Sequence, residues 1–479
     1  MRAVYKMSKR ALVLCAMAAT SLSAQTFTAL FGFDGANGKF PQSVLKQATD
    51  GDFYGTAQQG GAHGYGTVFK ITSGGTLTTL YSFCARSGCT DGEYPLGLIQ
   101  ATNGNFYGTT VNGGAHSHGT VFKITPSGRL TTLYSFCVQS GCTDGSFPQA
   151  GLVQATNGNF YGTTYGGGAY GYGTVFKISP TGALATLYSF CAQSGCADGE
   201  YTFAGLIQAT DGNFYGTTYQ GGAYGYGTVF KITASGALET LYSFCAQTGC
   251  ADGEYAHAGL VQATNGDFYG TTQGGGGNGN YGTVFKITPG GALETLYSFC
   301  AQSGCPDGMV LDGGLLQATD GDFYGAAASG GPNGSGTVFK ISAGGTLATQ
   351  YSFCAQSGCA DGATPLAGLF QATNGNFYGT TVSGGAHGDN DGTLFSLSVG
   401  LGPFVKTVTT SGKVGATVEI LGTDLTGATS VTFNGAAASF TVVSSSEITA
   451  TVPAGASTGN VQVVTPGGTL TSNVRFRVT

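Results

Sequence analysis

The tripeptide Phe-Tyr-Gly begins at Phe53, Phe106, Phe160, Phe214, Phe268, Phe323 and Phe377, with spacings of 53, 54, 54, 54, 55 and 54 residues. Self-similarity at such a period makes the chain an array of one supersecondary unit, which buries its apolar faces by stacking on its neighbours. The third copy shows what the unit contains. Residues 151–156 form a first strand-like run, and Asn157-Gly158 reads as a two-residue hairpin turn because both residues tolerate positive φ. Residues 159–164 form a second run and 173–179 a third, with Val175, Phe176 and Ile178 as its β-formers. Pro180-Thr181-Gly182 turns the chain into a fourth run over 184–190. Four short antiparallel strands per repeat, seven times over, predict an all-β chain headed by a seven-bladed β-propeller.

The two ends of the array agree with this reading. The seventh copy runs through Gly392-Thr393-Leu394-Phe395 and then lacks a fourth strand, whereas residues 28–33 resemble Leu80-Tyr81-Ser82-Phe83 without a repeat of their own. The opening strand is therefore expected to complete the last blade and remove two open sheet edges. Loops 1–2 and 3–4 are tight, while the 2–3 loop (165–172 in the third copy) and the link to the next copy (191–204) are long. All the long loops then gather on one face, the face expected to bind.

Glycine is abundant, 86 of 479 residues, and charged residues make up only 9%. With 12% aromatics and a fixed period, this composition denotes turn-dense β structure rather than disorder. Arg2, Lys6, Lys9 and Arg10, a short apolar stretch over 11–20 and Ser21-Leu22-Ser23-Ala24 read as an export signal cleaved after Ala24. Leu14 before Cys15 is bulkier than a lipoprotein signal favours. Cleavage takes Lys+Arg from 18 to 14 against 24 Asp+Glu, so net charge moves from −6 to −10. No basic patch is left to neutralise phosphates, which argues against nucleic acid as a partner. No later stretch has the length and apolarity for membrane insertion.

Twelve of the 13 cysteines fall in six C-x4-C pairs: Cys84/Cys89, Cys137/Cys142, Cys191/Cys196, Cys245/Cys250, Cys300/Cys305 and Cys354/Cys359. An even count at repeated spacing indicates disulfides in an oxidising, extracytoplasmic compartment. Closing so small a loop is worth roughly 2 kcal/mol per bridge by chain entropy. The alternative, metal binding, needs four ligands in one place, and each loop offers two. No metal and no cofactor are expected.

Around residues 399–403 the repeat stops. Residues 404–479 contain no cysteine and alternate β-branched residues, with strands expected at 417–421, 430–433, 440–443, 448–452, 461–464 and 474–478. Short strands at this spacing suggest an immunoglobulin-like sandwich. The organisation expected is thus a signal over 1–24, a propeller over 26–398, a linker over 399–403 and a sandwich over 404–479.

The run Gly-Leu-Val-Gln-Ala-Thr-Asn-Gly-Asn-Phe-Tyr-Gly-Thr-Thr, followed by Gly-Thr-Val-Phe-Lys-Ile, resembles the GloVer tandem repeat of bacterial surface and secreted proteins over about residues 26–398. That family is described by its repeat and its choice of C-terminal anchors, not by an activity; neither an LPxTG-like motif nor a terminal apolar helix with a basic tail is seen. The tail resembles an IPT/TIG domain through Gly415-Ala416-Thr417-Val418-Glu419-Ile420-Leu421-Gly422, Val431-Thr432-Phe433-Asn434-Gly435, Val452-Pro453 and Thr465-Pro466-Gly467-Gly468. The resemblance implies a spacer or interaction module and no chemistry.

Three repeated features are weighed as sites. Asp91, Asp144, Asp198, Asp252, Asp307 and Asp361 each begin an Asp-Gly after the second cysteine, with Asp34 taken as their equivalent in the opening strand. Calcium wants six to eight oxygens, and a turn role suits Asp-Gly better. The residue ten after each Phe varies while its glycines repeat: His63, His116, Tyr170, Tyr224, Asn278, Asn333 and His387. These seven are the candidate ligand-binding positions, with packing on the next blade as the alternative. The repeated Lys70, Lys123, Lys177, Lys231, Lys286 and Lys340 are read as stems covering apolar surface. No catalytic residues are assigned: acids here repeat with the scaffold, and neither a nucleophile elbow nor a zincin motif occurs. The function expected is a secreted or cell-surface, non-enzymatic binding or scaffold protein whose long-loop face meets an extracellular glycan or surface protein. A pure spacer and a polysaccharide-active enzyme are the alternatives.

Overall fold

The computed structural model describes residues 25–386 and 390–479, so the expected signal and His387 lie outside the described residues. The chain is all-β. Each repeat forms one four-stranded antiparallel sheet in sequence order; the third comprises Val153–Gln154, Phe160–Thr164, Thr174–Ile178 and Leu184–Ser189. The middle strands are buried on both faces, because apolar residues on each side of the sheet meet a neighbouring sheet. In Thr174–Ile178 only Lys177 is half-exposed. A register shift between Val175 and Phe176 recurs in repeats 1 to 6 and adds twist toward the outer strand.

The seventh sheet has the order expected from the ends of the array. Thr26–Gly32 pairs antiparallel with Thr393–Ser398, with Phe27 opposite Leu397, and supplies the fourth strand. The sheets pack in succession, and the seventh packs on the first. Phe53, Phe69 and Ile71 share one apolar cluster with Tyr378 and Leu394. The Tyr of each Phe-Tyr-Gly stacks on the Phe of the next repeat: Tyr161 on Phe214 at 4.0 Å between centroids, Tyr269 on Phe323 at 4.0 Å, and Tyr378 on Phe53 at 4.2 Å. A second circuit runs alongside. A glutamine amide oxygen of each repeat accepts from the threonine N–H of the preceding one, as in Gln208 from Thr156, and the circuit returns through Gln47 from Thr373.

The Asn157-Gly158 turn differs from expectation. The loop spans five residues, closed by Ala155 N–H to Asn159 O and Gly158 N–H to Ala155 O. Only Gly158 takes positive φ (81°), while the Asn157 carboxamide oxygen accepts from Asn159 N–H. A single left-handed glycine after an ordinary turn suffices when the loop is longer than two residues.

The C-terminal residues form two four-stranded sheets. One contains Lys406–Thr407, Thr417–Leu421, Glu447–Thr451 and Phe440–Val442; the other contains Ala436–Ala437, Ser430–Phe433, Val461–Thr465 and Gly468–Thr471. Val418, Ile420, Ile448, Val431, Phe433 and Val463 make one core between them. The run expected at 474–478 narrows to Arg477–Val478, paired in parallel with Ser411–Gly412, because Phe476 turns into that core.

Candidate functional site

The innermost strands of all seven repeats surround one cavity of about 800 Å³. They converge through glycines: a Cβ on Gly205 would meet Gly151 O at 3.2 Å, and one on Gly259 would meet Gly205 O at 3.2 Å. Each inner strand enters at the long-loop face and descends toward the tight turns.

At the upper rim every repeat places one residue that breaks the repeat pattern: Gln42, Leu96, Gln149, Phe203, His257, Asp312 and Leu366. Repeats 4 to 6 make this a connected sector. The Phe203 and His257 rings stack at 4.7 Å and 24°, and Tyr219 stands edge-on to Phe203 at 5.0 Å. The Tyr219 hydroxyl donates to Gln273 Oε1 (3.0 Å), and Gln273 Nε2 donates to Asp312 Oδ1 (2.7 Å). His257 Nδ1 lies 3.4 Å from Asp312 O and 3.9 Å from its Oδ1. Burial, with Tyr255 and Asp312 nearby, holds the Tyr219 phenol above its ordinary pKa.

Backbone strain supports this rim. Phe40, Tyr94, Phe147, Tyr201, Tyr255, Val310 and Thr364 all take positive φ, 54° to 62°, one per repeat. Such a conformation costs roughly 1–3 kcal/mol for a bulky residue. It persists because two cross-links clamp it: Tyr255 N–H donates to Tyr226 O, and Gln273 N–H donates to Tyr255 O. The strained turn lays Tyr255 against Tyr219 (5.0 Å) and Tyr201 against Tyr165 (4.8 Å), extending the aromatic surface. Glu200 and Glu254, beside these tyrosines, are held above the usual carboxylate range by burial. The rim thus offers flat apolar faces beside a fixed amide, carboxylate and imidazole. It is built for stacking and hydrogen bonding.

The positions singled out from sequence lie elsewhere. His63, His116, Tyr170, Tyr224, Asn278 and Asn333 sit on exposed tips of the 2–3 loops, with Tyr170 and Tyr224 each 53% exposed. Asn278 and Asn333 donate to the carbonyls of Ser298 and Phe353. None of them lines the cavity. The rim residues carried a readable signal of the same kind, one variable position between repeating neighbours. The second repeat alone is one residue shorter just there.

All six cysteine pairs are disulfides: Cys84–Cys89, Cys137–Cys142, Cys191–Cys196, Cys245–Cys250, Cys300–Cys305 and Cys354–Cys359. Although these loops belong to the face expected to bind, none of the twelve cysteines lines the cavity. Their work is structural. In the last loop the Cys359 carbonyl accepts from Gly362 N–H (2.9 Å) and Gly385 N–H (3.0 Å), so the bridge to Cys354 ties the link to the 2–3 loop of the seventh repeat. Glu93, Glu200, Glu254 and His118 approach individual pairs, but a bonded sulfur has no thiolate to give a metal.

The Asp-Gly aspartates are buried anchors for the disulfide loops. Asp198 Oδ2 accepts from the Tyr188 hydroxyl (2.8 Å) and Ala192 N–H (2.9 Å), and Oδ1 accepts from Gln193 N–H (3.0 Å). Asp34 is not their equivalent. Thr67 donates to Asn37 O as Thr337 does to Asp307 O, so Asn37 holds the aspartate's place. The opening strand has Phe31 where a tyrosine hydroxyl would donate, and with no donor and no disulfide the carboxylate is dispensable.

Fold and site together define a repeat protein of seven four-stranded sheets with a shared cavity. The chain belongs to the Gloeobacter/Verrucomicrobia repeat family, whose model matches residues 17–154, 85–254, 138–312 and 248–443. Six disulfides and a bacterial repeat family point to an extracellular protein. Among the described residues no helix is long and apolar enough to cross a membrane. No curated protein matches the chain. Among solved structures it is similar to the extracellular domain of a protein described as a hybrid two component system from B. thetaiotaomicron, with TM-score 0.50 and 11% identity. That match covers 78% of this chain and 39% of the other, and at this identity it concerns the fold alone. It is also similar to a protein described as an oxidoreductase (glucose dehydrogenase) from Thermus thermophilus, with TM-score 0.38, 13% identity and coverage of 78% and 100%. A protein of unknown function from Bacteroides thetaiotaomicron gives TM-score 0.41, 14% identity and coverage of 78% and 76%. The last two likenesses are too remote to bear on this chain.

Proposed function

We propose that this is a secreted, non-enzymatic glycan-binding protein: a seven-bladed β-propeller carrying an IPT/TIG immunoglobulin-like domain, with its ligand received at the cavity rim on the long-loop face. The propeller reading is supported by the two inter-repeat circuits, each returning from repeat 7 to repeat 1. The IPT/TIG reading is supported by the two C-terminal sheets around one core.

One observation carries the function. Phe203, Tyr219 and His257, with Gln273 and Asp312, form an aromatic sector at the cavity rim that, among the described residues, no other repeat reproduces. A scaffold needs no such departure from its own repeat. Sugar rings present flat C–H faces to aromatic rings and hydroxyls to amides and carboxylates, which is the chemistry assembled here. A glycan array with residues 25–479, followed by calorimetry, tests this. The F203A/H257A variant is expected to lose about tenfold or more in affinity. A variant altered at His63, His116, Tyr170 and Tyr224 is expected to bind as the parent does. Unchanged binding by F203A/H257A would overturn the rim assignment, and no glycan binding at all would favour the spacer.

A further inference from the structure

The lower end of the cavity is unlike the upper. One inner-strand position holds Ile99, Val153, Ile207, Val261, Leu316 and Phe370 in six repeats, of which Ile99, Val261, Leu316 and Phe370 line the cavity, and Lys46, also lining it, in the first. The register confirms the equivalence of the two extremes: Lys46 lies opposite Tyr54 as Phe370 lies opposite Tyr378. A lysine in a ring of apolar side chains is costly unless something compensates it.

The C-terminal residues close this end. Phe404 N–H donates to Thr373 O, the Thr423 and Thr373 hydroxyls are 2.8 Å apart, and the Ser446 hydroxyl donates to Thr49 O. Arg477 reaches Thr210 O on the far side. Thr49, Thr210 and Thr373 belong to the tight turns of repeats 1, 4 and 7, so the C-terminal sheets lie across the opening. Phe404, Lys406 and Asn473 thereby join the lining, and Lys406 brings a second ammonium beside Lys46, 4.2 Å from the Phe370 ring centroid. Among the described residues neither ammonium has a carboxylate or a hydrogen-bond acceptor. Enclosure by protein, and then the field of Lys46, hold the Lys406 ammonium far below its ordinary pKa. Both lysines line the cavity.

Two lysines that no carboxylate among the described residues pairs, on a floor of apolar side chains and the Asn473 amide and under a rim suited to stacking, favour an anion attached to a sugar. We propose that the floor is a carboxylate site: Lys46 and Lys406 receive the carboxylate of a uronic-acid residue at the end of a glycan whose preceding rings rest on Phe203 and His257. The inner strand from Phe203 to Ile207 spans roughly 13 Å, the reach of a short oligosaccharide rather than a single ring. The ligand class rests on the rim reading; the anion site itself does not.

Calorimetry with oligogalacturonate, its methyl ester and inorganic sulfate separates the two. The parent chain is expected to bind the acid about tenfold or more tightly than the ester. K46M/K406M is expected to lose that preference while binding the ester as before. Lys46→Met puts an apolar side chain where the other repeats have one, Lys406→Met leaves an apolar chain against Phe370, and an unchanged thermal midpoint or a raised one verifies folding. Acid and ester binding equally to the parent, or K46M/K406M keeping the preference, would overturn the floor site and leave the rim reading standing. Sulfate binding that depends on the two lysines, without oligogalacturonate binding, would keep the anion site but overturn the uronate assignment.

Discussion

Tyr378 of the last repeat lies over Phe53 of the first, their ring centroids 4.2 Å apart, in the same relation that Tyr161 bears to Phe214 within the array. The join between the two ends is therefore made by the same packing as every interior junction.

This makes the closing contact testable against an interior one. Phe53 and Phe214 are both fully buried. Phe53→Ala and Phe214→Ala are each expected to cost about 3–5 kcal/mol, by lost burial and the cavity left behind. Guanidinium unfolding of the two variants should give midpoints shifted alike. A near-neutral Phe53→Ala would mean that the ends do not hold one another.

Much of this architecture is legible from residues. The period, the four strands, the disulfide pairs and the completion of the seventh sheet by residues 26–32 all follow from local patterns that repeat. The rim does not, for physical reasons. Tyr201 and Tyr255 adopt a backbone conformation that side chains disfavour, sustained only by hydrogen bonds to neighbouring strands. Lys46 and Lys406 meet only because the C-terminal sheets fold across the cavity. Each departs from what its own neighbours in sequence imply, and both are visible only once the sheets are assembled.

The buried aspartates make a second prediction. Asp198 accepts three hydrogen bonds, and its loss would leave the Tyr188 hydroxyl and two amides without an acceptor. Asp198→Ala is expected to cost about 2–4 kcal/mol, since bonds to a charged acceptor are the stronger kind. The tyrosines of this motif should also resist alkali. Burial and the aspartate beside it push the Tyr297 phenol up to about 12, and those of Tyr188 and Tyr242 are raised by the same causes. A phenol raised above its unfolded value of about 10 stabilises the fold below that pH, and the gain disappears as pH rises through the folded value. Absorbance at the phenolate band should show these rings ionising only as the protein unfolds, whereas early, reversible ionisation would contradict the motif.

One disulfide loop is made less completely than the rest. In Cys300–Cys305 the Asp307 Oδ2 accepts from Tyr297 and Ala301, but Oδ1 is buried without a partner. In Cys354–Cys359, by contrast, both oxygens of Asp361 are used. Pro306 follows the second cysteine here, where the other loops have Ala or Thr, and proline restricts the residue before it. With fewer bonds holding the loop, its opening should cost least. Limited dithiothreitol treatment, alkylation and peptide mass mapping are expected to find Cys300 and Cys305 modified first, ahead of Cys354 and Cys359. Pro306→Ala should bring their rate to that of the other pairs. Reduction of all six at one rate would show that the orphaned oxygen is without consequence.

The cavity floor predicts a pH dependence with a definite sign. Burial, then the field of Lys46, lower the Lys406 pKa from 10.5 to about 7 in the folded chain. Lys46 is itself lowered by burial, and among the described residues it is the one charged group that acts on Lys406. Between pH 7 and 10.5 the unfolded chain binds a proton at Lys406 that the folded chain has released, so this lysine makes stability rise with pH across that window. Below pH 7 both states are protonated and the full cost of the enclosed charge is present. Lys406→Met removes that cost, so the variant should exceed the parent most in thermal midpoint near pH 6, with the difference shrinking toward pH 10. Lys46→Met should move the transition to higher pH by relieving the repulsion. A parent–variant difference that stays constant across the range would mean that the Lys406 ammonium is solvated in both states, and that the floor carries no stored electrostatic cost for a ligand to relieve.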